Sequence, residues 1–231
     1  MGLSGHGWSK FKRKVVVAKM MHIGMIAGEY PPRWGGIGSV VYHLAGHLAS
    51  FGHQVTVLTR AHDGSAPAQS GVSIVEVPWL KLPMKFTRSY AKNCFRMIKH
   101  LHAADPFDVI HVHLPLASFT AKEFQYLERH IAPVCCSLHG SWLGEKEGVK
   151  RAAKAGESAT WRNPNDLAIW LTAKWYARYE KAGLLNSSVS VANSHSTLQE
   201  FNQWYAPGEQ YNAQVVLWGC DHKVFRPANI D

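Results

Sequence analysis

The sequence predicts an α/β protein built on a doubly wound, parallel, Rossmann-like sheet. Short apolar runs recur along the chain without polar alternation, as in strands covered on both faces, and segments with helical spacing stand between them. A third observation is the stretch 21–38. There an apolar run passes through a Pro-punctuated bend into Gly35-Gly36-Ile37-Gly38 and at once into a helix.

The elements follow in order. A first strand covers 21–27. Ile37, Val40, Val41, Leu44, Ala45, Leu48 and Ala49 then form one helical stripe, closed by Phe51-Gly52. Residues 54–59 read as a buried second strand, 62–71 as a polar loop and 72–78 as a third strand. A mixed basic and apolar stretch precedes a helix over 88–102. Pro106-Phe107-Asp108 enters a fourth strand that ends at His113. A helix over 116–130 and a strand over 133–138 follow. The long section 139–185 ends in a Trp-rich helix over 165–182. A strand over 187–192, a helix over 194–205 opened by Ser194 and Thr197, and a last strand over 214–217 complete the pattern.

Composition bounds the function. With 231 residues, 46% hydrophobic and 18% charged, the chain is long enough for one substantial core. A formal net charge of +9, with lysines and arginines denser over 10–19 and 81–99, favours an acidic partner: a nucleotide diphosphate, a phospholipid surface or nucleic acid. A solvated basic surface is the ordinary alternative. Cys94, Cys135, Cys136 and Cys220 lack Cys-x-x-Cys spacing, and Cys135 and Cys136, inside an apolar run, read as small core residues of a reducing compartment. No segment has the length of a membrane span, and residues 1–14 lack the apolar stretch of a signal peptide. A cytoplasmic protein is expected.

A glycine loop opening a helix turns free N–H groups and the positive end of the helix dipole toward one space, where a phosphate fits. The alternative is a tight turn whose glycines only supply backbone freedom. The dinucleotide fingerprint is a poor match, because Val41 stands at its third glycine and Thr59-Arg60 where a ribose-binding acid belongs. In the common strand order the first strand lies beside the fourth and the fifth comes next. Three features then meet at the carboxyl ends of the strands: the glycine loop after Ala27, His113 and His139-Gly140. His111 and His113 are spaced for one strand face but have no third ligand nearby. His43 and His47 have no glutamate between them, so no metal is expected.

Glu29-Tyr30-Pro31-Pro32 with Gly35-Gly36-Ile37-Gly38, Gly52-His53-Gln54-Val55-Thr56-Val57-Leu58-Thr59, Phe107-Asp108-Val109-Ile110-His111-Val112-His113, Leu138-His139-Gly140, Ala192-Asn193-Ser194, and the stretch from Gly219 to Pro227 occur in that order. Together they resemble the amino-terminal, acceptor-side domain of a retaining glycosyltransferase of family four (group 1, glycogen-synthase-like), one half of a GT-B fold. The resemblance covers nearly all of the chain from residue 21 onward. It implies a basic extension over 1–20, a Rossmann-like domain over 21–227 and the start of an interdomain linker over 228–231, with the second domain absent. That second domain binds the nucleotide sugar in the family and carries two glutamates eight positions apart, a pair this chain lacks. Trp218 stands where the closing motif usually has Asn, and Cys220 follows its glycine.

The resemblance implies a hexosyltransferase-type enzyme that moves a sugar from a nucleotide diphosphate sugar to a sugar or lipid acceptor, with no cofactor and no metal. It would be inactive without a carboxyl-terminal donor-binding domain or subunit. Gly35, Gly36 and Gly38 would face the diphosphate, His139 would be the catalytic contact to sugar or phosphate, and His113 and Arg33 would shape the acceptor pocket. Nucleic acid is then not an expected partner. The stretch 79–88, with Arg96 and Lys99, mixes apolar and basic residues; a basic surface loop over the core is the first reading of it and a peripheral membrane contact the second. The alternatives are a non-catalytic binding module that keeps the fold and, less favoured, an NAD-dependent oxidoreductase.

Overall fold

A computed structural model describes residues 19–32, 35–62, 64, 66–82, 84–157, 159–209 and 211–219. Seven strands, β1 (His22–Ala27), β2 (Gln54–Arg60), β3 (Val72–Val77), β4 (Val109–Leu114), β5 (Val134–Leu138), β6 (Val189–Ala192) and β7 (Ala213–Val215), form one sheet in the order β3-β2-β1-β4-β5-β6-β7. Every pairing is parallel. The order reverses between β1 and β4, as the sequence predicts.

Alternation along the strands divides the core in two. On one face Ile23, Met25, Ala27, Val55 and Val57 pack against Val41 and Ala45 of α1 (Gly36–Ser50). On the other, Ile26, Leu58, Ile110, Val112, Leu114, Val134, Cys136 and Leu138 pack against Tyr90 of α2 (Phe86–Ala104), Phe124 and Leu127 of α3 (Ala121–His130), Leu184 of α5 (Pro164–Asn186) and Phe201 of α6 (His195–Tyr205). Both faces of β1 are therefore covered, and all six of its residues are buried, which explains a strand written as a continuous apolar run. Burying Phe124 and Leu127 fully contributes about 1.5–3 kcal/mol each. The Tyr90 hydroxyl reaches the carbonyls of Ala27 and Leu58 at 2.8 and 2.6 Å, tying α2 to the carboxyl ends of β1 and β2.

The elements differ from the sequence pattern in several places, among them the end of α5 at Asn186 and the start of β6 at Val189. The helix expected from residue 116 starts at Ala121, because Thr120 and Glu123 form a reciprocal capping box that fixes its first turn. The helix expected from 88 begins at Phe86. The section 139–185 holds an additional helix, α4 (Trp142–Lys154), whose first turn is capped by Ser141 Oγ accepting from the Gly144 N–H at 2.9 Å. The last strand lies over Ala213–Val215, and Val216 and Leu217 are exposed beyond it.

The helix α5 is long for its place. Its 23 residues extend roughly 34 Å, whereas the four-residue β6 that it feeds spans roughly 13 Å. Its buried residues run from Ala173 to Leu184. Its amino-terminal half therefore projects past the carboxyl edge of the sheet, paired with α4, which has no buried residue.

Candidate active site

The loop after β1 is pressed against the loop after β4. A Cβ at Gly28 would come 2.6 Å from the Leu116 Cβ, so only glycine lets the two loops cross there. This contact sets the start of α1 beside the carboxyl end of β4. Gly35 is the extended N-cap of α1, with φ −132° and ψ 177°, and gives no side-chain cap; the first turn contains no acidic residue. By contrast, Thr120, Ser141, Asn163 and Ser194 cap α3, α4, α5 and α6 with their side chains. The backbone N–H groups at the start of α1 thus have no side-chain acceptor of the capping kind. Nothing lies within 4 Å of a Cβ built at Gly36, whereas one at Gly35 would run into the Glu29 carboxylate. Gly38 packs on the backbone of Glu29 and Tyr30 and so serves the turn.

The second half of the site is a row of three imidazoles. The register pairs Met25 with His111, His111 with Cys135 and His113 with Ser137, so His111, His113 and Ser137 stand on the sheet face that carries α1. His139 follows β5 by one residue. His113 Nδ1 and His139 Nε2 are 3.0 Å apart, and His111 Nε2 lies 2.7 Å from Ser137 Oγ. The rings stack, with centroids 4.3 Å apart for His111 and His113 and 5.3 Å for His113 and His139. His113 is fully buried, while His111 and His139 are half-buried.

Burial disfavours charge on all three rings. Desolvation, followed by the neighbouring imidazole His139, pulls His111 down to about 4. Desolvation alone pulls His139 down to about 4. His113 is held well below the usual histidine value by desolvation and then by His111 and His139. At neutral pH the row is uncharged and acts through hydrogen bonds. His113 Nε2 and His139 Nδ1 are buried and have no hydrogen-bond partner among the described residues, an arrangement uncommon for polar atoms inside proteins. The exposed ring of Trp218 lies 5.6 Å from that of His139.

The structure thus brings Gly35, Gly36, Gly38, His113 and His139 to the carboxyl edge at the switch point. Arg33 lies outside the described residues, as does the closing motif from Cys220 onward. Four further residues belong to this edge. Gly28 sets the loop crossing, and Glu29 places its carboxylate at the Gly35 position. Ser137 holds His111. Arg60 ends β2, donates from Nε to the Gly28 carbonyl and lies 4.8 Å over the Trp79 ring. Ser137 and Arg60 are written into strands as ordinary polar residues, and only the register shows which side chains they meet.

The model of "Glycosyltransferase Family 4" matches residues 34–211. The sucrose-phosphate synthase of Thermosynechococcus elongatus superposes with a TM-score of 0.62 at 16% identity, covering 90% of this chain and 50% of that one. The GPI3 subunit of phosphatidylinositol N-acetylglucosaminyltransferase from Saccharomyces cerevisiae is 24% identical over 101 residues, 42% of this chain and 22% of that protein. A glycogen synthase of Mycobacterium tuberculosis is 47% identical over 49 residues, 21% of this chain and 12% of that protein. The chain spans half or less of the length of these relatives. The sheet is the Rossmann-like layer of GT-B glycosyltransferases, and the chain belongs to Glycosyltransferase Family 4.

Proposed function

We propose that this chain is the acceptor-side half of a retaining glycosyltransferase, which moves a sugar from a nucleotide diphosphate sugar to a sugar or lipid acceptor and needs a donor-binding domain or subunit to turn over. The observation that carries this reading is the meeting of an uncapped glycine N-terminus with a buried histidine row at one sheet edge. As the bond from the anomeric carbon to the diphosphate breaks, negative charge collects on the leaving phosphate, which takes the proton of the acceptor hydroxyl as that oxygen bonds the anomeric carbon. Gly35 and Gly36 offer N–H groups there, and the opening over Gly36 leaves room for it. His139 contacts the donor sugar or its phosphate as a neutral group, and Arg33 belongs to the acceptor side. His113 was expected there too, but with 0% exposure it backs His139 and does not line the acceptor pocket. The reaction is assigned without a metal or a cofactor.

The test measures nucleotide diphosphates against the ¹⁵N-labelled chain and, separately, transfer from a panel of nucleotide sugars. Shifts at Gly35, Gly36 and His139 with no turnover by the chain alone, and turnover once a donor-binding domain is supplied, are the expected results. Robust transfer by the chain alone overturns the need for a second domain; silence at those three residues overturns the site. Trp218 favours a second reading, a binding module that has lost catalysis, since its ring sits beside His139. Turnover with the added domain removes that reading.

The peripheral membrane contact of this proposal falls on the loop before α2, where Leu80, Leu82 and Met84 are exposed beside Lys81 and Lys85. Trp79 and Arg88 are turned to other partners: Trp79 Nε1 donates to the Ala61 carbonyl at 2.7 Å, and Arg88 pairs with Glu123 at 2.8 Å. No helix among the described residues is long and apolar enough to cross a membrane. Salt-sensitive sedimentation with anionic but not neutral vesicles is expected, and equal indifference to both removes the contact.

A further inference from the structure

A hydrogen bond between two neutral imidazoles carries one proton, so the 3.0 Å contact between His113 Nδ1 and His139 Nε2 allows two arrangements. In one, His113 Nδ1–H donates to His139 Nε2. His113 then keeps a bare lone pair on Nε2, and the proton of His139 sits on Nδ1. In the other, His139 Nε2–H donates to His113 Nδ1, and the proton of His113 is on Nε2. Both outer nitrogens are buried without a partner among the described residues, so each arrangement leaves one N–H unmet there. The arrangements differ in where that N–H is.

An unmet N–H is the costlier orphan, and buried donors without an acceptor are rarer than under-used acceptors. In the second arrangement the orphan lies on His113, which has 0% exposure, in the middle of the row where no ligand reaches it. In the first it lies on Nδ1 of His139, a nitrogen covered in the ligand-free fold but carried by a half-buried ring just past the carboxyl end of β5, the edge at which a ligand would be met. His111 holds the middle ring in place, stacked 4.3 Å from it and itself fixed by Ser137 Oγ at 2.7 Å. Desolvation keeps the rings uncharged, so one proton per ring is the correct count at neutral pH.

We propose that His113 is a positioning residue that locks His139 in the Nδ1–H form, so that His139 presents an uncharged hydrogen-bond donor to an oxygen of the bound ligand, a sugar hydroxyl or a phosphate oxygen. His139 in this state is an electrophilic contact and not a general base, since its only lone pair is occupied by His113. The inference deepens the glycosyltransferase reading and rests on it for the ligand's identity. The tautomer itself does not depend on any transfer activity.

The experiment is long-range ¹H–¹⁵N correlation on the chain labelled with ¹⁵N-histidine at pH 7, in the wild type, His113→Phe and His113→Asn. Phenylalanine keeps a ring and removes the donor; asparagine carries an amide N–H near the place of Nδ1. Expected are an Nδ1–H His139 in the wild type, a shift toward Nε2–H in His113→Phe, and recovery of the Nδ1–H form in His113→Asn. A wild-type His139 protonated on Nε2 overturns the proposal, and so does a His139 tautomer that ignores His113→Phe. If His113→Phe fails to fold, the wild-type spectrum and His113→Asn still decide. With a donor-binding domain present, His113→Phe should lower kcat on the order of tenfold with KM little changed, about one hydrogen bond's worth, and His113→Asn should restore it. An Nδ1–H His139 that does not respond to any nucleotide sugar or diphosphate leaves the tautomer lock standing and sinks the transferase reading instead.

Discussion

Two buried titratable clusters lie within a few residues of each other, one on either side of Gly140, and they are finished in different ways. Before it stands the histidine row of β4 and β5, with one nitrogen of His113 and one of His139 unmet. After it stands Glu180 of α5, 1% exposed, whose carboxyl accepts from the Trp142 N–H at 3.2 Å and from the Tyr205 hydroxyl. Beside it Glu200 accepts from the Ser141 backbone N–H at 3.3 Å and from the Ser141 hydroxyl. Desolvation pushes Glu180 up to about 8, against the pull of its bonds to Tyr205 and Trp142. The carboxyl is engaged by α4 and α6 together, whereas the histidine row retains unused valence at a sheet edge. The carboxyl cluster ties helices together, and the proposal above gives the open valence of the histidine row to a ligand.

The largest expected effect on folding comes from breaking the completed cluster. Glu180→Ala leaves the Trp142 N–H and Tyr205 hydroxyl without their acceptor and opens a cavity, at a cost of about 2–4 kcal/mol. A melting point roughly 5–15 °C lower should follow. Glu180→Gln keeps an acceptor and most of the volume and should lose much less. Equal losses would show that charge, not hydrogen bonding, governs the cluster.

His139→Ala should behave in the opposite way. Turnover by the enzyme with its donor-binding domain should fall roughly 10²- to 10³-fold, the usual scale for one lost donor to a developing charge, with the melting point nearly unchanged. A variant that melts early yet keeps its rate per folded molecule would make His139 a strand cap and erase the contrast between the clusters.

The two clusters should also tilt the pH dependence of stability in opposite directions. Glu180 has its ordinary value of 4.5 in the unfolded chain and about 8 in the fold, so its contribution is complete below 4.5 and is lost as pH rises through 8. His111 and His139 stand at 6.5 unfolded and about 4 folded, so their contribution is complete above 6.5 and is lost as pH falls toward 4. Denaturant melts from pH 4 to 9 should show both arms, each on the order of a few kcal/mol. Glu180→Gln should flatten only the alkaline arm. The smallest effect is that of Ser137→Ala, which removes the partner of His111 Nε2 and should cost about 1 kcal/mol while leaving the bond between His113 and His139 intact.

Strand order and the convergence at the switch point were legible because they depend on apolar runs and on the rule that ligands meet the carboxyl edge. The start of α3 was missed because Leu116 and Ala117 continue the apolar spacing; Ala117 is buried as loop, and the Thr120–Glu123 box sets the true boundary. The helix α4 is hard to see in the sequence because none of its residues is fully buried and only Trp142 and Leu143, at its start, meet the core, so no apolar stripe runs along it. His113 and His139 could be named separately, but their bond depends on the register of β4 against β5, which no local pattern encodes. Glu180 looked like any helical carboxylate, since the residues that enclose it come from 141–142 and from 200–205.

The overhang of α5 has its own effect on motion. The carboxyl-terminal half of that helix packs into the core, and the start of α4 is held there too, by Trp142 on Glu180 and Tyr176 and by Leu143 on the core. The first half of α5 and the rest of α4 pair with each other, with Trp161, Trp170 and Leu171 exposed to solvent. Opening the far end of this hairpin exposes little apolar surface that is not already wet, so that end can part while Trp142 and Leu143 stay in place. Its amides should exchange with solvent through local opening well before those of β1, giving a hinged flap on an otherwise rigid edge.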